Sequence, residues 1–247
     1  MRLEGQVVIV TGASSGIGQA IARRCLDEGA AVVATGRRAD ALEEVGAGSD
    51  RVARIAVDLT HAGAPEQVVA LALARFGKLD GLVHAAGAVW RNQDLRESSD
   101  DELRSFVDEN LTGTIRMARA AYIPMTAAGS GSIVLIGSQL AHIAVPGYAA
   151  YCAAKGGVIT FARALAVDGG PLGVRVNVVS PGLVRTPMAY VGREDFDDAA
   201  PAIALRHPLR RIGEPADIAG PAVFLLSADA AWMTAQTMIV DGGFTAS

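Results

Sequence analysis

Short apolar runs alternate with longer stretches of helical period along this chain. Gln6–Val10, Ala31–Thr35, Val52–Val57, Gly81–Ala85, Ile133–Ile136, Gly173–Val179 and Thr237–Val240 are each rich in Val, Ile and Ala, and most are closed by Gly, Asp or Pro. Such unbroken runs, without polar alternation, are the pattern of strands buried on both faces, as in parallel sheets. Between them, Gln19–Glu28 carries apolar residues at 21, 22, 25 and 26 with charges between, and stops at Gly29. Ser99–Ala128 opens on SDDE, an N-cap followed by first-turn acids; the run from Tyr148 is Ala-rich; Pro215–Leu226 begins with proline. These are helices. The pattern predicts an α/β fold, a seven-stranded parallel sheet with helices on both faces, in one domain spanning residues 1–247. The stretch 183–211 breaks the regularity, with Pro187, Gly192, Pro201 and Pro208 and acids at 194, 195, 197 and 198. It is read as a substrate lid, because long irregular inserts in compact domains are usually functional.

Composition narrows the class. Hydrophobic residues make up 51% of the 247 and charged ones 19%, which allows a large core. The net charge of −4 and scattered arginine pairs argue against a nucleic-acid partner. The absence of a leader pattern or a membrane-length apolar run gives the expectation of a soluble cytoplasmic protein. Cys25 and Cys152 match no metal spacing, and His61, His84, His142 and His207 pair with no Cys or carboxylate at ligand spacing, so no metal is expected. His84, inside a strand, is read as a hydrogen-bonded core residue.

Two stretches carry chemistry. The first strand runs into Thr11, Gly12, Ala13, Ser14, Ser15, Gly16, Ile17 and Gly18 just before a helix. In such a turn, bare backbone N–H groups and the helix dipole can approach a pyrophosphate. The second strand ends in Gly36, Arg37 and Arg38 rather than a carboxylate. An acid there would accept from a ribose 2′-hydroxyl, whereas a guanidinium can pair with a 2′-phosphate, so NADP(H) is favoured over NAD(H). The alternative is that the two arginines merely begin a solvated helix. Asp58, with Leu59 after it, either meets an adenine edge or caps the helix starting near Ala64. Ala86 and Gly87 are small enough to pass beneath a ribose. Further on, Tyr151 and Lys155 lie four apart on a helix and so share a face, and Ser138 leaves the preceding strand. A neighbouring ammonium favours the phenolate, which makes Tyr151 an acid/base candidate with Ser138 holding a substrate oxygen; the alternative, which the Tyr-x-x-x-Lys spacing alone favours, is a surface Tyr and Lys on an ordinary helix. Asn110, beside Val107, Leu111 and Thr114, either binds water next to Lys155 or is exposed.

Thr11-Gly12-x-x-x-Gly16-x-Gly18, Asn110, Ser138, Tyr151-x-x-x-Lys155 and Pro181-Gly182 together resemble the short-chain dehydrogenase/reductase family in its compact, single-domain form. The resemblance implies a Rossmann fold and hydride transfer between nicotinamide C4 and the carbonyl carbon of a ketone or secondary alcohol. It implies Tyr151 as general acid/base, Lys155 tuning it and holding the nicotinamide ribose, Ser138 on the substrate oxygen, and Asn110 in a water-linked relay. It further implies Val184 and Thr186 on the carboxamide, Asp58 on the adenine, and a homotetramer whose interface includes Trp232–Phe244. One departure is His84-Ala85-Ala86-Gly87 where the family often has Asn-Asn-Ala-Gly, which removes side chains that brace the fourth strand. The competing readings are an NAD(H)-dependent dehydrogenase of the same family and a non-catalytic nucleotide sensor or scaffold. An epimerase or dehydratase would need a larger C-terminal domain. Val89, Trp90, Gln139–Tyr148 and Met188–Tyr190 are expected to line the substrate space, with His142 as its titratable group, and a mostly apolar ketone as substrate.

Overall fold

The computed structural model describes residues 1–89 and 94–246. Seven parallel strands form one sheet in the order β3-β2-β1-β4-β5-β6-β7. The strands are β1 (Val7–Thr11), β2 (Ala31–Gly36), β3 (Val52–Ala56), β4 (Gly81–His84), β5 (Gly131–Ile136), β6 (Val174–Pro181) and β7 (Thr237–Val240). The helices are α1 (Gly16–Asp27), α2 (Ala39–Glu43), α3 (Ala64–Phe76), α4 (Asp100–Val107), α5 (Gly113–Ala128), α6 (Ala149–Gly169), α7 (Pro187–Tyr190), α8 (Phe196–Ala204) and α9 (Pro215–Leu226).

Alternate strand residues feed two cores. Val8, Val10, Val32, Val83 and Val134 pack with Ile21, Ala22 and Cys25 of α1 and Ile218, Ala222 and Val223 of α9. Val7, Ile9, Val33, Leu82, Ile133 and Leu135 pack on the other side with α3, Met117 and Met125 of α5, and Val158 and Ala162 of α6. Each Val, Leu, Ile or Met among them, removed from water, contributes about 1.5–3 kcal/mol of gross stabilisation. Both faces are therefore covered, which is why the strands read as continuous apolar runs rather than alternating ones. The buried Cys25 thiol is pushed up to about 12, mainly by desolvation, and behaves as an inert core residue. α6 is long and apolar enough, by length and composition, to cross a bilayer. It instead packs along β6 and carries Lys155, Arg163 and Asp168.

Several boundaries differ from the sequence expectation. The sixth strand continues through Ser180 and Pro181, because Pro181 pairs in register with Val240 at the edge of the ladder. The single helix expected over 99–128 is broken by a π-helical turn, Asp108–Thr112, in which the Gly113 N–H reaches the Asp108 carbonyl. Asp58 does not cap α3, whose N-cap is Gly63 in the left-handed region; Asp58 Oδ1 accepts instead from Thr60 N and Oγ1 at 2.9 and 2.8 Å. The stretch expected to be irregular contains α7 and α8, which close a small core of Ala189, Phe196, Ala200 and Ile212 apart from the two main ones.

Candidate active site

The segments that follow all seven strands converge at the C-terminal edge of the sheet. The chain order reverses between β1 and β4, and open parallel sheets take their ligands at such a switch point. A cleft of about 780 Å³ runs along this edge. It is lined by Gly12, Ser14–Gly18, Arg37, Arg38, Asp58, Leu59, Ala86, Gly87, Ser138, Tyr151, Lys155, Pro181, Gly182, Val184 and Thr186. Every position expected for cofactor or chemistry lies on its wall except Asn110, which stands just behind it.

The turn after β1 has no room for side chains. A Cβ on Gly18 would come within 2.3 Å of the Gly12 carbonyl oxygen, and one on Gly12 would sit 3.0 Å from the Ala85 and Ala86 backbone. Gly16 has φ +55° and lies beneath Thr186, whose side chain would stand 3.1 Å from an added Cβ. The turn and the segment after β6 thus close on each other at the N-terminus of α1. Bare backbone at the start of a twelve-residue helix suits a pyrophosphate, so the residues present fit a dinucleotide. Arg38 donates to the Ser14 carbonyl at 2.8 Å, tying the end of β2 to this turn. Arg37 remains 67% exposed and lies 3.5 Å from Glu109, while its charge also helps hold Asp58 below the usual carboxylate range, after the hydrogen bonds from Thr60.

Ser138 leaves β5 in an extended conformation, buried, with its Oγ accepting from Leu140 N at 3.1 Å, so its proton is available to the cleft. Tyr151 stands in the first turn of α6, its ring between Phe106 and Tyr148 at centroid distances of 6.3 and 6.4 Å. Lys155, one turn on, is buried, donates to the Ile136 carbonyl at 3.0 Å, and has its Nζ 5.8 Å from the Tyr151 ring centre. Burial pulls its pKa down to about 8, so the ammonium form still predominates at neutral pH. Asn110 is fully buried, which removes the exposed alternative. It sits in the π turn, its Oδ1 accepting from Ala88 N at 3.2 Å and its Nδ2 donating to the Phe106 carbonyl at 3.1 Å. A Cβ on Gly87 would be 3.0 Å from Asn110 Oδ1 and 3.6 Å from Lys155 Nζ, so both side chains close on that glycine.

The β4 exit is braced by Thr11. Its Oγ1 accepts from Ala85 N and Ala86 N at 3.1 and 3.0 Å and lies 3.0 Å from His84 Nδ1. With both lone pairs engaged, the hydroxyl proton points to Nδ1, which places the imidazole proton on Nε2.

The substrate wall is partly as expected. Val89, Gln139, Leu140, Val145, Pro146, Tyr148, Met188 and Ala189 line it, and Trp90 lies outside the described residues. His142 does not: its Nε2 is 3.3 Å from Ser180 Oγ, outside the lining. Tyr190 also turns away, its hydroxyl donating to Asp197 at 3.1 Å. The titratable and charged groups on this wall are instead Arg193, Arg206 and His207, with Phe244 beside them. Arg193, Arg206 and His207 fall in the stretch read as a lid, but nothing in the sequence singled them or Phe244 out, because only packing of the 183–211 segment against the end of β7 brings them to the cleft.

A protein-family model described as Enoyl-(Acyl carrier protein) reductase matches residues 12–245. Among curated proteins, D-threitol dehydrogenase of Mycolicibacterium smegmatis is 38% identical over 249 aligned positions, covering 99% of this chain and 94% of that one. The 3-oxoacyl-[acyl-carrier-protein] reductase of Chlamydia pneumoniae is also 38% identical, covering 98% of each. Among solved structures, levodione reductase superposes with a TM-score of 0.94 at 30% identity over 100% of both chains.

Proposed function

The chain belongs to the short-chain dehydrogenase/reductase family as an NAD(P)-dependent alcohol dehydrogenase/ketoreductase, and from that premise we propose that it reduces a ketone with NADPH, or runs the reverse oxidation. The observation that carries the proposal is the grouping of Ser138, Tyr151 and Lys155 on one wall of the cleft that the Gly12–Gly18 turn opens. The bound nicotinamide would supply or take up the hydride at the carbonyl carbon. Ser138 donates its free proton to the carbonyl oxygen and so holds and polarises it. Tyr151 delivers the phenolic proton to the same oxygen as it becomes an alcohol. Lys155, positively charged in a site of low dielectric, stabilises the phenolate left behind. Asn110 fixes the loop after β4 through Ala88 and stands with Lys155 beside Gly87, where the water-linked relay that restores the proton would run. In this reading Val184 and Thr186 hold the carboxamide, and Ala86, Gly87 and Lys155 face the ribose.

For the cofactor, NADP(H) is supported by the end of β2. Gly36 replaces the carboxylate there, and Arg37 is exposed on the cleft wall, while Asp58 lies one strand further out. NAD(H) is the alternative. Two unpaired cysteines, one buried, suit a reducing compartment such as the cytoplasm.

The decisive experiment is Tyr151→Phe. Loss of the phenolic proton should lower kcat by roughly 10²–10⁴-fold with the affinity for NADPH, read by its fluorescence, nearly unchanged. Turnover close to wild type in that variant would remove the assignment.

A further inference from the structure

The charges along the cleft are unevenly divided. Its carboxylates, Asp58 and Glu109, both lie at the β2–β3 end with Arg37 and Arg38, and Glu109 stands 3.5 Å from Arg37. At the opposite end, beyond β6, the charged side chains on the wall are Arg193 and Arg206, with no carboxylate among the described lining residues. Neighbouring arginines of the same segment are neutralised: Arg185 by Asp197 at 2.6 Å, Arg211 by Asp217 at 2.5 Å. Arg193 and Arg206 have no such partner among the described residues, although Glu194, Asp195 and Asp198 stand close in sequence.

Arg206 is held in place from behind. Its guanidinium lies over the Phe244 ring, 4.8 Å from the centroid. The next residue, His207, is buried, with Nδ1 donating to the Ile203 carbonyl at 3.0 Å and its ring 5.0 Å from Phe244. A backbone hydrogen bond from Leu209 N to the Gly242 carbonyl, 3.2 Å, pins the same turn to the end of β7. Two guanidinium groups without a carboxylate partner among the described residues give this end of the cleft a positive local potential.

We propose that the non-reacting end of the substrate is an anion, a carboxylate or a phosphate monoester, held by Arg193 and Arg206 with an apolar stretch against Phe244. This rests on the reductase reading above and departs from the apolar ketone that the loop sequences suggest. Guanidinium groups match both oxyanions in planar, two-pronged hydrogen bonds, so they select for the charge and not for the chain that carries it. The substrate class is then an oxo acid or an oxo phosphate ester, with its hydroxy counterpart as product.

The test reads binding rather than turnover, so it stands apart from the chemistry. Enzyme saturated with NADP⁺, which has no hydride to give a ketone, is titrated calorimetrically with straight-chain oxo acids of five to eight carbons and with their methyl esters. Dihydroxyacetone phosphate and dihydroxyacetone form a second pair. An acid or phosphate should bind at least about tenfold more tightly than its neutral counterpart, as charge-assisted pairing predicts. Arg193→Gln/Arg206→Gln should bring the two within about threefold, and Arg193→Lys/Arg206→Lys should restore part of the gap. NADPH affinity, unchanged in both variants, verifies that they fold. An advantage for the acids alone assigns a carboxylate, and for the phosphate alone a phosphate ester. Equal binding of charged and neutral ligands, no anion binding up to about 10 mM, or an advantage that survives the Gln substitutions overturns the proposal. Failure of hydride transfer with tight anion binding would sink the reductase reading alone.

Discussion

At the level of single residues, His84 shows how a partner fixes a buried imidazole. Thr11 braces the β4 exit, and its hydroxyl fixes the imidazole tautomer, leaving Nε2 buried without a partner among the described residues. Desolvation, then repulsion from Lys155, drives the His84 pKa from 6.5 to about 3. Between those values the unfolded chain binds a proton that the native chain refuses, so this residue's contribution to stability is lost as pH falls from 6.5 towards 3. At pH 4 the loss from this one group approaches about 3 kcal/mol. His84→Asn should therefore flatten the decline in urea-unfolding free energy between pH 7 and pH 4 by a large part of that amount. Parallel pH profiles for the two proteins would contradict it. From the sequence, His84 is recognisable as a core residue; its partner, 73 positions away at Thr11, is not.

At the level of elements, the π turn Asp108–Thr112 and the 183–211 segment are the two places where local rules give way. Asn110 has little reason to sit in a helix, and the widened turn lets its amide serve Ala88 and Phe106 at once. Such a turn leaves no mark in hydrophobic period, so the sequence reads as one helix. The 183–211 segment, proposed as the lid, has its own small core around Phe196 and is tied down by Arg185. That side chain donates to Tyr190 Oη and Asp197, lies 3.6 Å from Glu214, and covers the Phe196 ring at 5.6 Å. Being partly exposed, these pairs add little to global stability. They join α7, α8 and the start of α9, so their loss should act on substrate closure. Arg185→Ala is expected to raise the KM for ketone by roughly 3–10-fold and to leave the KM for NADPH within about twofold. An unchanged ketone KM would argue that the segment does not close over substrate.

At the level of the whole molecule, the sheet order places the Arg37/Arg38 loop and the Arg193/Arg206 wall at opposite ends of one cleft, with Ser138, Tyr151 and Lys155 between them. A dinucleotide laid across the switch point would then have its adenosine end at β2 and its nicotinamide at Tyr151. The preference for NADPH is tested by comparing kcat/KM for the two cofactors. Wild type should favour NADPH by about tenfold or more, and Arg37→Ala should remove most of that, since a charge-assisted contact to phosphate contributes about 1.5–3 kcal/mol. Arg38→Ala is less clean, because Arg38 also holds the Ser14 carbonyl and its loss should weaken both cofactors. A wild-type preference for NADH would reverse the cofactor assignment.

The sequence by itself determined the seven apolar strands, the glycine turn, the Ser138, Tyr151 and Lys155 set and the absence of a carboxylate after β2. Each rests on local chemistry: period, chain flexibility, or a spacing of four along one helix. Only the tertiary structure decided that Asn110 is buried behind Gly87, that His142 lies off the cleft, and that Arg193, Arg206 and His207 lie on it. Those placements depend on contacts between segments far apart in the chain, such as Leu209 with Gly242 and Thr186 over Gly16. A side chain's role there is set by which neighbour neutralises or shields it, and that neighbour is chosen by packing.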